Sequence, residues 1–76
     1  MGLAREVEMS PEALGILNDA QRNRIRGMFE GNGGCSKVQV FIDMSLPTNW
    51  VYVIQYWPDQ RQPIHGGIDP NGSMST

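Results

Sequence analysis

The stretch from Lys37 to Trp57, KVQVFIDMSLPTNWVYVIQYW, decides how this chain folds. Its first part alternates. Val38, Val40, Ile42 and Met44 share one parity, and Lys37, Gln39, Phe41 and Asp43 share the other. A period of two is the signature of a β-strand with one buried face. Ser45-Leu-Pro-Thr-Asn49 then has turn chemistry, because Pro presets φ while Asn and Ser bond back to the local backbone. Trp50 to Trp57 forms a second strand, dense in aromatic and β-branched side chains. The two runs lie close enough to pair as an antiparallel hairpin, about 37–44 with about 50–57.

Register decides which side chains meet solvent, since a slip of one residue exchanges the two faces. A loop at Ser45–Asn49 sets Met44 opposite Trp50. Val38, Val40, Ile42, Met44, Trp50, Tyr52, Ile54 and Tyr56 then share a wholly apolar or aromatic face. Phe41, Val51, Val53 and Trp57 are the large apolar groups left on the opposite face. The slipped register sends Val51, Val53 and Trp57 to the valine side and leaves Trp50, Tyr52, Ile54 and Tyr56 beside Lys37 and Asp43. The first register segregates polarity better and is the one expected.

Upstream, Leu3, Val7 and Met9 share parity around Glu6 and Glu8, a weak pattern for a short N-terminal edge strand, with helix as the competing reading because Glu, Ala and Arg are good helix formers. Ser10-Pro11-Glu12 is a helix start: Ser caps, Pro suits the first helical position, and Glu meets the positive end of the dipole. A helical segment is expected over about 10–30, either as one helix or as a short helix kinked near Asn18 into a longer one, with Leu14, Leu17, Ile25, Met28 and Phe29 as its apolar stripe. Gly31-Asn-Gly-Gly34 ends it as a C-cap. Downstream, a third short strand or a lapping loop is expected near 62–66. The turn residues Asp69-Pro-Asn-Gly72 lead into an end, about 69–76, expected to fray. The fold class is therefore α+β, one helical segment packed on a small antiparallel sheet in a single domain, 1–76.

Composition narrows the chemistry. The chain has 76 residues, six Lys/Arg against eight Asp/Glu, and a pI near 5.1. Electrostatic binding of nucleic acid needs several cations on one face, so nucleic acid is a disfavoured partner. No apolar run approaches the ~18 residues of a membrane span, and no signal-peptide pattern opens the chain. The single cysteine, Cys35, allows no internal disulfide, which points to a reducing, cytoplasmic setting. Cys35 and His65 fall short of the ~four ligands of a structural zinc site, so no metal or cofactor is expected. They are also the only pair resembling a nucleophile and its base, too little to expect an enzyme. A core this small supplies only about 3–5 kcal/mol, so a partner or a homodimer is the expected source of further stability.

What remains is a binding surface. Arg22, Arg24 and Arg26 form the only basic cluster, with Arg22 and Arg26 one helical turn apart. Trp, Tyr and Arg dominate interface hot spots. The residues expected to bind a partner are Trp57, Phe41, Arg22, Arg26, Val51 and Val53. The expected function is non-enzymatic docking onto a larger protein or complex, to inhibit or regulate it. A phage- or mobile-element-encoded inhibitor of a host defence system such as CRISPR-Cas is the concrete instance. The alternative is a small nucleic-acid-binding regulator that combines Arg22, Arg24 and Arg26 with aromatic stacking.

Overall fold

A computed structural model describes residues 6–30 and 34–75. Leu3, and the Gly31–Gly33 part of the expected C-cap, lie outside the described residues. In chain order the elements are β1 (Glu6–Met9), α1 (Pro11–Ile16), α2 (Asp19–Gly27), β2 (Lys37–Phe41), β3 (Val51–Tyr56), β4 (Ile64–Ile68) and β5 (Met74–Ser75). The strands form one sheet in sequence order. β1 runs parallel to β2, and every later neighbour is antiparallel. The fold class is α+β, with a five-stranded mixed sheet and two short helices.

Local chemistry explains the helices. The Ser10 hydroxyl accepts a hydrogen bond from the Ala13 N–H at 3.1 Å, and Pro11 takes the first helical position. The expected kink near Asn18 is a full break. The Asn18 side chain accepts from the Gln21 N–H at 2.8 Å, and the Gln21 side chain accepts from the Asn18 N–H at 3.1 Å. This reciprocal capping box starts a new helix, satisfying two otherwise orphaned N–H groups.

Both helices lie on one side of the sheet. Ala13, Leu17, Ile25, Met28 and Phe29 close over Val38, Val40, Val51, Val53 and Ile68, with Cys35 beside them. Leu14, expected in the stripe, is 55% exposed. The break at Asn18 rotates α1 relative to α2, so one continuous 3.6-residue period does not carry across it. Ala13 faces the sheet in place of Leu14, and the fully buried Gln21 completes the covered side.

The hairpin takes the slipped register. Val40 pairs with Val53 and Phe41 with Tyr52, so Val51 and Val53 share the valine side. Three physical reasons favour it. The Asp43 carboxylate accepts from the Ser45 N–H and hydroxyl at 2.9 and 2.8 Å, which turns the chain and ends β2 at Phe41 rather than Met44. A second turn, closed by the Trp50 N–H on the Pro47 carbonyl at 3.2 Å with Asn49 at φ 69°, sets where β3 begins. The expected register would also drive the phenols of Tyr52 and Tyr56 under the helices, where a buried hydroxyl without a partner is costly. Valines pack there without that cost.

The C-terminal segment, expected to fray, is built into the sheet. β4 spans Ile64–Ile68, and β5 pairs with it through Ile68 opposite Met74. The Asp69 carboxylate accepts from the Asn71 and Ser73 N–H groups, and Gly72 at φ 84° makes the turn. A Cβ at Gly72 would lie 2.7 Å from the Ala20 carbonyl oxygen, so this turn is docked tightly on α2.

Candidate docking surface

Among the described residues, no helix or strand covers the second face of the sheet. Strand alternation places Glu8, Lys37, Gln39, Phe41, Tyr52, Ile54, Tyr56, His65 and Gly67 on it. Phe41, Tyr52, Ile54 and Tyr56 all remain partly exposed. The face divides into an aromatic half and a polar half.

In the aromatic half, the Phe41 and Tyr52 rings lie 4.9 Å apart between centroids, tilted by 54°. Tyr52 meets His65 edge-on at 5.7 Å, and the Tyr52 hydroxyl lies 2.6 Å from His65 Nδ1. Gly67 sits opposite Tyr52. A Cβ there would be 3.1 Å from the Trp50 ring and 3.4 Å from Leu46. The missing side chain is what lets Trp50 and Leu46 lap over the sheet.

In the polar half, the Tyr56 hydroxyl donates to Gln39 Oε1 at 2.8 Å, and Gln39 Nε2 donates to Glu8 Oε1 at 2.9 Å. Lys37 Nζ lies 3.3 Å from the second Glu8 oxygen and 5.5 Å from the centre of the Tyr56 ring. The hydrogen bond from Gln39, followed by the bond and charge of Lys37, holds the Glu8 carboxyl below the usual carboxylate range. Among the described residues, the only cation carried on the strands of this face is therefore already paired.

Of the residues expected to bind a partner, only Phe41 lies on the uncovered face. Val51 and Val53 are fully buried beneath the helices, a correction that follows from the one-residue change of register. Trp57 is corrected in the same way. It packs against the core, and its indole N–H is buried with no hydrogen-bond partner among the described residues. Tyr52, Tyr56, Trp50 and His65 take the places that Val51, Val53 and Trp57 were expected to hold. The signal that could have found them is the tyrosine hydroxyl, which a sheet face under helices does not readily accommodate.

The arginines lie on the far side of the molecule, on α2. Arg22 and Arg26 are exposed beside an apolar groove. Arg24 is tied down, its Nε donating to the Gly72 carbonyl at 2.7 Å. Cys35 and His65 do not meet: Cys35 is in the core with Sγ 3.4 Å from Gln55 Oε1, and His65 is exposed on the uncovered face. Burial pushes the Cys35 thiol up from its ordinary value. Among the described residues, no group of three or more His, Cys, Asp or Glu is arranged to hold a metal ion, and no helix is long and apolar enough to cross a membrane. Compared with protein-family models, curated proteins and solved structures, the chain matches none of them.

Proposed function

We propose that this chain is a non-enzymatic docking protein that inhibits or regulates a larger protein or complex by applying the uncovered face of its sheet to it. The observation that carries this reading is the row of Phe41, Tyr52, His65 and Trp50 on a face that no element of the described chain covers. Rigid rings with polar tips supply large contact area at low entropic cost. The face suits a protein surface better than a phosphate backbone, because Lys37 is already engaged by Glu8. The nucleic-acid reading required the arginines and the rings to act together, and they lie on opposite sides of the sheet. A host defence complex such as a CRISPR-Cas effector is the partner class to try first.

The test pairs binding with stability. The chain and its Phe41→Ala and Tyr52→Ala variants are titrated against purified effector complexes, with nuclease interference as the functional readout. Truncating a hot-spot ring weakens binding by about 2–4 kcal/mol, roughly 30- to 1,000-fold, with little change in melting temperature. Trp57→Ala serves as the folding control and lowers the melting temperature. Full binding and inhibition by the Phe41→Ala/Tyr52→Ala double variant would overturn the reading.

A further inference from the structure

The second surface lies at the outer edge of β1, on the helix side, and it stands independently of the uncovered face. β1 pairs only with β2, so among the described residues no strand pairs with its outer edge. An edge strand presents unpaired N–H and C=O groups to any extended chain that lies alongside it. Next to that edge, Val7, Met9, Leu17, Ile25 and Phe29 line an apolar groove of about 350 Å³, with Arg22 and Arg26 at its rim. Val7 is 44% exposed above it. Neither arginine has a carboxylate partner among the described residues, where the one ion pair is Lys37 with Glu8; Arg26 bonds only the neutral Asn23 side chain, at 2.7 Å.

We propose that this edge binds an extended segment of a partner protein, added as a sixth strand, with aliphatic side chains in the groove and Asp or Glu at the same parity against Arg22 and Arg26. The pattern follows from strand geometry. Side chains two apart share a face, so an aliphatic residue in the groove places the residue two further on beside the helix. There the two exposed guanidiniums can fork onto a carboxylate. The intervening side chains fall on the uncovered face beside Glu8, where Lys or Thr is favoured and an acid is repelled. A second copy of this chain fits poorly. Its own β1 would place Val7 at the groove and bring its Glu8 to the parity of Glu8, leaving the arginines unmatched.

The experiment uses a fluorescein-labelled peptide of the sequence Thr-Ile-Lys-Ile-Thr-Glu-Lys-Glu and the full chain, read by polarisation and by ¹⁵N chemical shifts. The expected result is saturable binding that shifts the amides of Glu6–Met9, Ile25 and Phe29. Arg22→Glu/Arg26→Glu should weaken it by at least about tenfold, and raising salt should weaken it further. Both arginines are exposed, so these variants keep the fold, checked by their melting curves. Equal affinity for the peptide with its two Glu residues changed to Lys would overturn the proposal, as would shifts confined to Phe41, Tyr52 and His65. Absence of binding would also overturn it. Nuclear Overhauser contacts from residues 1–5 to Phe29 would then give the groove to the chain's own start, and a concentration-dependent dimer would give it to a second copy.

Discussion

Gln21 ties the helices to the sheet from a buried position, and Gln21→Glu tests how much the assembly depends on it. The residue is fully buried. Its Nε2 donates to the Asn49 carbonyl at 2.9 Å and to the Ile68 carbonyl at 3.3 Å, while its Oε1 accepts from the Asn18 N–H at 3.1 Å. One amide thus joins the start of α2 to the loop before β3 and the end of β4. A carboxylate keeps the Asn18 bond but turns an oxygen toward two carbonyl oxygens. Two hydrogen bonds are lost, worth about 0.5–1.5 kcal/mol each, and a buried charge is left uncompensated, so the cost at neutral pH is about 3–5 kcal/mol. A domain of this length holds only about 4–11 kcal/mol in total. The melting temperature should fall by at least about 12 °C at pH 7.

Acid should restore much of that loss. Burial and the two carbonyls raise the introduced carboxyl's folded pKa above its unfolded value of about 4.3. The variant is therefore at its most stable below that unfolded value, where the protonated group again donates to one carbonyl. Its stability falls as pH rises through the folded pKa and is flat beyond it. Gln21→Met, which has no titrating atom, should lose stability by a similar amount at every pH. Urea melts between pH 4 and 8 decide the matter. If Gln21→Glu tracks the parent across that range, or is weaker in acid than at neutrality, the amide is not oriented as described.

Glycines give a second contrast. Gly15 lies in α1 with open space around it, so Gly15→Ala should stabilise by about 0.5–1 kcal/mol, whereas Gly72→Ala forces a methyl against Ala20 at φ 84° and should cost about 1–3 kcal/mol by denaturant midpoint. The Glu8 and Asp43 carboxyls are held below their ordinary values, Glu8 first by Gln39 and Asp43 by the Ser45 N–H. Their contribution is present above the ordinary carboxylate range and lost as pH falls below it through the lowered folded values, so Glu8→Gln should flatten the acid limb of a pH–stability profile. Cys35, buried and less acidic than a free thiol, should react with a thiol reagent only at the rate at which the domain opens, and promptly in denaturant.

Much of the architecture was legible from local chemistry. Ser10, Pro11 and Asn18 act through bonds that span three residues, so the start of α1 and the break before α2 could be read without knowing what they pack against. The alternation of Val38 and Val40, and the β-branched run after Trp50, likewise named the hairpin strands. The uncovered face was not legible in the same way, because it depends on register. Moving the pairing by one residue exchanges Val51 and Val53 for Tyr52, Ile54 and Tyr56, and polarity alone favoured the other choice. What settled it was non-local. The Asp43 and Pro47 turns fix the loop, the helices accept small valines close beneath them, and the tyrosine hydroxyls bond to Gln39 and His65 only on the uncovered side. Leu14 gave way to Ala13 for the same reason, since which face α1 buries depends on how the chain re-enters helix at Asn18. Sequence by itself determined the helix starts and the two hairpin strands, because caps, turns and periodicity act over a few residues, whereas β5 formed where a frayed end was expected. Only the tertiary structure decided which side of the sheet the helices cover, because that choice compares the packing of two whole faces at once.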